Sequence, residues 1–319
     1  MKTLISTFKK ALKTIENSNH CTLLSHRHPD ADTIGSALAM QYVLNKQYPG
    51  SFTCVCADPL PESLLFLKQN HTIRKKIPSQ TDCIIALDCS TPEQTKFPDV
   101  IEEKNIPVIN IDHHTTNTRY GNITIINPHA ASTTEILYHL FEATHLSYSS
   151  HIATCLLAGI YNDTGSFMHS NTTQETLKTA GELQKKGAKT QKIAKKLFNT
   201  HSVEQLRLWG TVLSNARLND KGTLVSKIST QELEETKASS RELAGVINYL
   251  NCAREARMTI LLSEDIHGNI QGSMRAGKDD IDVSALCEQF GGGGHKKAAG
   301  FTIPGKIVAQ ETWKIEPQD

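Results

Sequence analysis

The sequence predicts an α/β protein: a mostly parallel, doubly wound sheet with a helical extension, followed by a smaller α/β domain. Three observations predict it. Short apolar runs alternate with helical patterns through the first half of the chain, as in a sheet covered by helices on both faces. From about residue 148 to 217 the periodicity is helical throughout. Strand patterns return after the polar, Gly-containing stretch Leu218-Asn219-Asp220-Lys221-Gly222. The expected domains are therefore 1–218, including a linking helix at 202–217, and 222–319.

In order, residues 3–17 space their apolar side chains as an amphipathic helix, and Cys21-Thr22-Leu23-Leu24 opens a strand over 21–25. Helical spacing follows at 33–46, a strand at 52–56, a short helix at 61–68 and a strand at 83–87. A helix at 97–104, strands at 107–111 and 123–126, and a helix at 131–144 complete the alternation. Ser132-Thr133-Thr134-Glu135 reads as the capping sequence of that last helix, with an acid in its first turn. Helices are expected at 149–161, 172–186, 189–198 and 202–217. Strands are expected at 223–228, 256–263 and 268–275, with helices near 241–250 and 281–289.

Composition narrows the class. Of 319 residues, 21% are charged and 38% hydrophobic, which suits a packed protein rather than a disordered one. A net charge of +1 argues against a broad footprint for long nucleic acid while allowing a small anionic ligand. The C-terminal stretch from Gly222 carries 11 Lys and Arg against 14 Asp and Glu, so it is not a basic groove. Lys185, Lys186, Lys189, Lys192, Lys195 and Lys196 read as a solvated helix face. No apolar run reaches the ~20 residues of a membrane helix, and no signal-peptide core opens the chain, so a cytoplasmic location is expected. The eight cysteines include Cys54-Val55-Cys56 but no C-x-x-C pair, which favours free buried thiols over a zinc ribbon.

The chemistry is concentrated where strands end. Ser25-His26-Arg27-His28-Pro29-Asp30-Ala31-Asp32 follows the first apolar run, Asp88 follows Cys83-Ile84-Ile85-Ala86-Leu87, and Asp112-His113-His114 follows Pro107-Val108-Ile109-Asn110-Ile111. Ligands of open α/β sheets bind beyond the C-terminal ends of the strands, so the three sets should meet at one edge. Asp163 adds a fourth acid after the apolar segment Ile152 to Ile160. Taken singly, each acid is accounted for by a turn or a helix cap. Crowded carboxylates repel and protonate unless a cation sits among them, so the joint pattern points to metal. Carboxylate and imidazole donors without thiolate suit manganese or magnesium, with cobalt, zinc or iron as alternatives. More than four such donors imply two ions and a bridging carboxylate, the equipment for hydrolysing a phosphate ester. His28 reads as an exposed or supporting residue.

These residues carry a resemblance. His26-x-x-x-Asp30-x-Asp32, Asp88, Asp112-His113-His114 and Asp163-Thr164 are similar, in order, to motifs I to IV of the DHH phosphoesterase family. Phe290-Gly291-Gly292-Gly293-Gly294-His295-Lys296-Lys297-Ala298-Ala299-Gly300 resembles the signature of its DHHA1 accessory domain. Length and the lack of further domains place the likeness nearest the NrnA-like members. The resemblance implies His26, Asp30 and Asp88 on one ion and Asp32, Asp88, His113 and Asp163 on the other, with Asp88 bridging. It implies that Asp112 fixes an imidazole and that His114 faces the substrate, polarising the phosphate or assisting the leaving oxygen.

Four consecutive glycines make a backbone able to turn tightly and offer N–H groups to an anion; a flexible loop or strand entrance is the alternative. In the resembled family this loop, Gly292, Gly293 and Gly294 with His295, and Arg275 at the end of a strand pattern, hold the substrate's phosphate or base across a cleft. Closure over the metals is the expectation. The implied substrates are oligoribonucleotides of two to five nucleotides, 3′-phosphoadenosine 5′-phosphate (pAp), or cyclic and linear di-AMP, hydrolysed to mononucleotides; a homodimer is compatible. A single-strand exonuclease of the RecJ type, a polyphosphate or pyrophosphate hydrolase, and a nucleotide-sensing module without hydrolysis are the alternatives. Two departures from the family pattern stand near the expected substrate: Met168-His169 where relatives carry Arg, and Ala276 where Ser is common.

Overall fold

The computed structural model describes residues 2–102, 106–198 and 201–308, without the side chains of Phe198 and His295. The end of the helix expected at 97–104 lies outside them; its described part is Pro98–Glu102. The chain divides into two compact units, 1–200 and 201–319.

In the first unit, strands β1 (His20–Leu24), β2 (Ser51–Val55), β3 (Ile73–Arg74), β4 (Cys83–Leu87), β5 (Val108–Asp112) and β6 (Ile123–Ile126) form one sheet among the described residues, in the order β3-β2-β1-β4-β5-β6. Every pairing is parallel. The central strands β4 and β5 are buried at every position, as the near-continuous apolar runs require when helices cover both faces. The helix Lys2–Glu16 buries Phe8, Ala11 and Ile15, one apolar stripe of its surface. The helices Ala31–Gln47 and Ser150–Asp163 are buried along most of their length and cross closely. A methyl group on Gly35 would meet the Cys155 carbonyl oxygen at 2.5 Å, so the crossing admits only glycine there. The strand Ile73–Arg74 is too short to leave a periodic signal, and it was not expected.

In the second unit, β7 (Arg217–Leu218), β8 (Thr223–Ile228), β9 (Met258–Glu264), β10 (Asn269–Ala276), β11 (Gly293–His295) and β12 (Ala298–Pro304) form a mixed sheet in the order β11-β12-β10-β9-β8-β7. Only the β8–β9 pair is parallel among the described pairings. The helix Val203–Ser214 buries Leu208, Trp209 and Val212 against Leu224, Ile228, Val246 and Leu261. That helix, expected to close the first domain, thus joins the core of the second, because its apolar stripe is complementary to the face of β8 and β9.

Candidate metal centre

The topology explains why the charged groups meet. β1 and β4 are neighbours, but the chain runs outward from β1 to β2 and β3 before returning to β4, so the connections diverge between their C-terminal ends and leave a crevice there. His26 lies just past β1, Asp88 just past β4, and Asp112 ends β5. Asp88 adopts φ +60°, a left-handed conformation uncommon outside glycine, in the turn leaving the strand. Asp163 arrives differently, as the last residue of the helix Ser150–Asp163.

Local capping orients the first motif. Asp30 is the N-cap of the helix Ala31–Gln47, and its carboxylate accepts from the N–H groups of Asp32 (2.9 Å) and Thr33 (3.0 Å). Thr33 Oγ1 donates to the Leu87 carbonyl at 3.1 Å, which ties the helix start to the end of β4. His26 Nδ1 lies 2.6 Å from the Arg27 carbonyl; donation there leaves Nε2 free to accept a cation.

Two sets of donors converge. His26 Nε2 is 3.7 Å from Asp30 Oδ1 and 3.4 Å from Asp88 Oδ2. His113 Nε2 is 3.3 Å from Asp163 Oδ2 and 3.7 Å from Asp88 Oδ1. His26, Asp30 and Asp88 form one group able to hold a cation, and Asp32, His113 and Asp163 another. The two oxygens of Asp88 therefore face different groups. Asp32 is fully buried, and its orientation comes from the next helix: the Thr133 N–H donates to Oδ2 at 2.7 Å, while the Thr134 N–H and hydroxyl donate to Oδ1 at 2.9 and 2.7 Å. Thr133 Oγ1 also donates to Asp88 Oδ1 at 3.0 Å.

A third constellation lies beside them. Asp112 Oδ1 is 2.7 Å from His114 Nδ1 and accepts from the His113 N–H at 2.8 Å. Its Oδ2 accepts from Asn117 Nδ2 at 2.6 Å and Ser90 Oγ at 3.3 Å. Asp112 is thus saturated by neighbours, and His114 is left with Nε2 open to the cavity.

The electrostatics follow from crowding. Burial opposes a charged His26 ring, but hydrogen bonding and charge from Asp30 and Asp88 outweigh it and push its pKa up to about 11. Burial likewise opposes charge on His113, yet Asp163, Asp32 and Asp88 raise it to about 10. The Asp112 carboxylate raises His114, against the effect of burial. Asp32 is driven well above the usual carboxylate range by burial and by the charges of Asp88 and Asp163. Asp163 is raised by burial, with His113 pulling the other way. The imidazoles offset the acids only in part, and a divalent cation among them removes the residual repulsion.

The residues fit such ions. Nε2 of His113 is buried without a hydrogen-bond partner, since its close approach to Asp163 is off the hydrogen-bonding line. A buried, orphaned ring nitrogen flanked by carboxylate oxygens, with no thiolate in either group, is a hard-cation donor set. His26, Arg27, Asp30, Asp88, His113, His114 and Asp163 line a cavity of about 430 Å³. His28 stands at its rim with an exposed side chain at φ +54°, the exposed position expected of it.

In the second unit, Arg275 lies on β10 between Thr259 of β9 and Ala298 of β12, and its guanidinium donates to Asn248 Oδ1 (3.2 Å) and the Met274 carbonyl (2.9 Å). The glycine run is not an open loop. The Gly291 N–H donates to the Glu288 carbonyl and the Gly292 N–H to the Cys287 carbonyl, with Gly291 at φ +71°, which is a Schellman cap on the helix Val283–Glu288. Gly293 and Gly294 then pair with Gly300 and Ala299 as β11. The N–H groups of Gly291 and Gly292 thus serve the helix end rather than an anion. The side chain of His295 lies outside the described residues.

Sequence reasoning missed several supporting residues. Thr133 and Thr134 passed as capping residues, and Ser132 Oγ does cap the helix by accepting from the Glu135 N–H at 3.1 Å. Their grip on Asp32 crosses about a hundred residues of chain and leaves no local signal. Gly159 was also unmarked: a methyl group there would fall against Asp32 Oδ1 and Thr134 Oγ1. Met168 is exposed, and His169 Nδ1 lies 3.1 Å from the Asp163 carbonyl, so His169 supports the backbone next to Asp163.

Comparison with known proteins agrees with this geometry. Residues 20–160 match the DHH family, N-terminal domain, and residues 220–314 match the DHHA1 domain. The chain is 30% identical over 310 residues to a Thermus thermophilus protein named bifunctional oligoribonuclease and PAP phosphatase NrnA, covering 94% of this chain and 89% of that one. A Bacillus subtilis protein of the same name is 26% identical, covering 88% and 89%. A solved structure of an exopolyphosphatase-related protein from Bacteroides fragilis superposes with a TM-score of 0.83 at 25% identity, covering 98% of this chain and 93% of its own. With its motifs at the ends of a parallel sheet and both domain models matched, the chain belongs to the DHH phosphoesterase family of hydrolases and carries a DHHA1 domain.

Proposed function

We propose that this enzyme hydrolyses phosphate esters of short nucleotides, such as oligoribonucleotides a few residues long, pAp, or linear and cyclic di-AMP, to mononucleotides. Two divalent ions, most simply manganese, are held by His26, Asp30 and Asp88 and by Asp32, Asp88, His113 and Asp163. The observation that carries this reading is the Asp88 carboxylate, whose Oδ2 faces His26 while Oδ1 faces His113. Such a pair supplies an activated water and charge neutralisation at the phosphoryl group.

The chain's own residues do the rest. Thr133 and Thr134 lock Asp32, and Asn117 and Ser90 lock Asp112. Asp112 holds His114 through Nδ1 and favours its protonated form, so Nε2 serves as a proton or hydrogen-bond donor to the leaving oxygen. The cavity of about 430 Å³ falls in the size range of small-ligand sites, which supports a short nucleotide as its occupant. The names of the Thermus and Bacillus relatives support short nucleotides as the substrate class. Arg275, with Gly292, Gly293, Gly294 and His295, is proposed as the substrate-binding set of the second domain. Gly292 would contribute there as a close-packed backbone element, since its N–H is already bonded.

The test is Asp88→Asn assayed with manganese on a dinucleotide, pAp and cyclic di-AMP side by side. Removing the shared carboxylate should lower turnover on whichever ester the wild type cleaves by about a thousandfold or more. Near-normal turnover would show that the site is elsewhere.

A further inference from the structure

The cavity holds one feature that the metal chemistry leaves unused. Among the described residues lining it, Arg27 alone carries a permanent positive charge, while Asp30, Asp88 and Asp163 are acids. No carboxylate pairs with its guanidinium among the described residues, although acids share the cavity lining with it.

Its backbone is held on every side. The Arg27 N–H donates to the Gln94 carbonyl at 2.6 Å, and its own carbonyl lies 2.6 Å from His26 Nδ1. The next N–H, of His28, donates to Asp58 Oδ2 at 2.9 Å, and Asp58 is pinned by Lys96 Nζ at 2.6 Å. Gln94 is fixed in turn, its Oε1 accepting from the Ser90 N–H at 2.7 Å. A long cationic side chain on so anchored a segment, at the mouth of a metal-binding cavity, has a fixed origin and a free head. An Arg in that setting grips phosphate oxygens through paired N–H groups.

We propose that Arg27 forms a phosphate subsite on the first domain that takes the non-reacting phosphate next to the one being hydrolysed. The inference rests on the hydrolase reading above and narrows it: substrates carrying a second phosphate close to the scissile one are preferred. The acidic groups would hold the ions that neutralise the reacting phosphate, whereas among the first-domain residues lining the cavity Arg27 alone offers a neighbouring phosphate a permanent positive charge.

The experiment uses the full chain as wild type, Arg27→Gln and Arg27→Lys. KM and kcat are measured with manganese on pAp and on bis(p-nitrophenyl) phosphate, which has no second phosphate. Affinity for pAp is measured separately by calorimetry with calcium as the ion, and manganese affinity and melting temperature are recorded for each variant. Arg27→Gln should raise KM and weaken affinity for pAp about tenfold or more, the size of a lost charge-assisted contact. kcat should change by less than about threefold, and the loss on the aryl diester should be at least about fivefold smaller. Arg27→Lys should recover part of the affinity, and manganese binding should not move. Equal losses on both substrates, or unaltered pAp affinity, would overturn the subsite. A wild type that binds pAp through Arg27 but cleaves no ester would instead refute the hydrolase reading and leave the subsite standing.

Discussion

Replacing Thr134 by Val removes one hydroxyl from a fully buried site and changes little else in shape. That hydroxyl donates to Asp32 Oδ1 at 2.7 Å, one of three bonds that hold this carboxylate. A hydrogen bond to a charged group contributes about 1.5–3 kcal/mol, which corresponds to roughly ten- to 150-fold in affinity. Its loss acts twice. Asp32 loses its orientation, and a carboxylate already pushed toward its acid form by burial and by Asp88 and Asp163 is pushed further. Outer partners of metal ligands typically account for about 10–100-fold of affinity, the same range. Thr134→Val should therefore weaken manganese binding by that factor while circular dichroism stays native. Calorimetric titration with manganese reads it directly. Affinity within about threefold of wild type, with turnover intact, would refute the reasoning that these threonines hold a ligand.

Three further outcomes are expected. Manganese binding near neutral pH should release protons, because His26 and His113, with pKa values raised to about 11 and about 10, must become neutral and Asp32 and Asp163, held toward their acid forms, must ionise. Heats of binding should then vary with the ionisation enthalpy of the buffer, and affinity should rise with pH; heats independent of buffer would contradict this. Glu232 accepts from Ser229, Lys227 and Asn215, and although burial opposes it, those contacts lower its pKa from 4.5 to about 2. A depressed carboxylate stabilises the fold above its unfolded value and loses that contribution as pH falls through the folded one. Glu232→Gln should cost about 1 kcal/mol, the size of a capping interaction, at neutral pH, and the difference from wild type should close between pH 4.5 and 2. A gap that persists in acid would rule out the charge as its source. Finally, Arg275→Ala should raise KM for a 5′-phosphorylated dinucleotide about tenfold with a smaller effect on an aryl phosphodiester. Steady-state kinetics showing equal effects on the two would remove Arg275 from the substrate-binding set.

The ligand candidates were legible because parallel strands announce themselves as uninterrupted apolar runs, and the first polar residue beyond each run marks a known edge. His26, Asp88 and Asp112 needed only that rule. Asp163 needed a different signal, because it follows the apolar segment Ile152 to Ile160 of an expected helix rather than a strand, and it is the last residue of the helix Ser150–Asp163. Thr133, Thr134 and Gly159 were illegible for a different reason: their roles lie wholly in contacts between distant segments. The glycine run left an anion-binding turn, a flexible loop and a strand entrance all open, because its meaning depends on partners on either side, a helix end to cap and β12 to pair with. The helix Val203–Ser214 was assigned by its position in the chain, whereas its packing follows the face that matches its apolar stripe.

Gly159 and Asp163 lie four residues apart on a single helix, about 6 Å along its axis and on the same side. The first makes room for one buried acid and the second supplies another, so the helix behaves as a ruler whose pitch fixes the spacing of two carboxylates contributed from opposite ends of the domain's sequence. One residue inserted between them would swing Asp163 by about 100° and dismantle the site without disturbing a single strand. Tolerance to length change in this segment should be far lower than its apolar, easily substituted composition suggests.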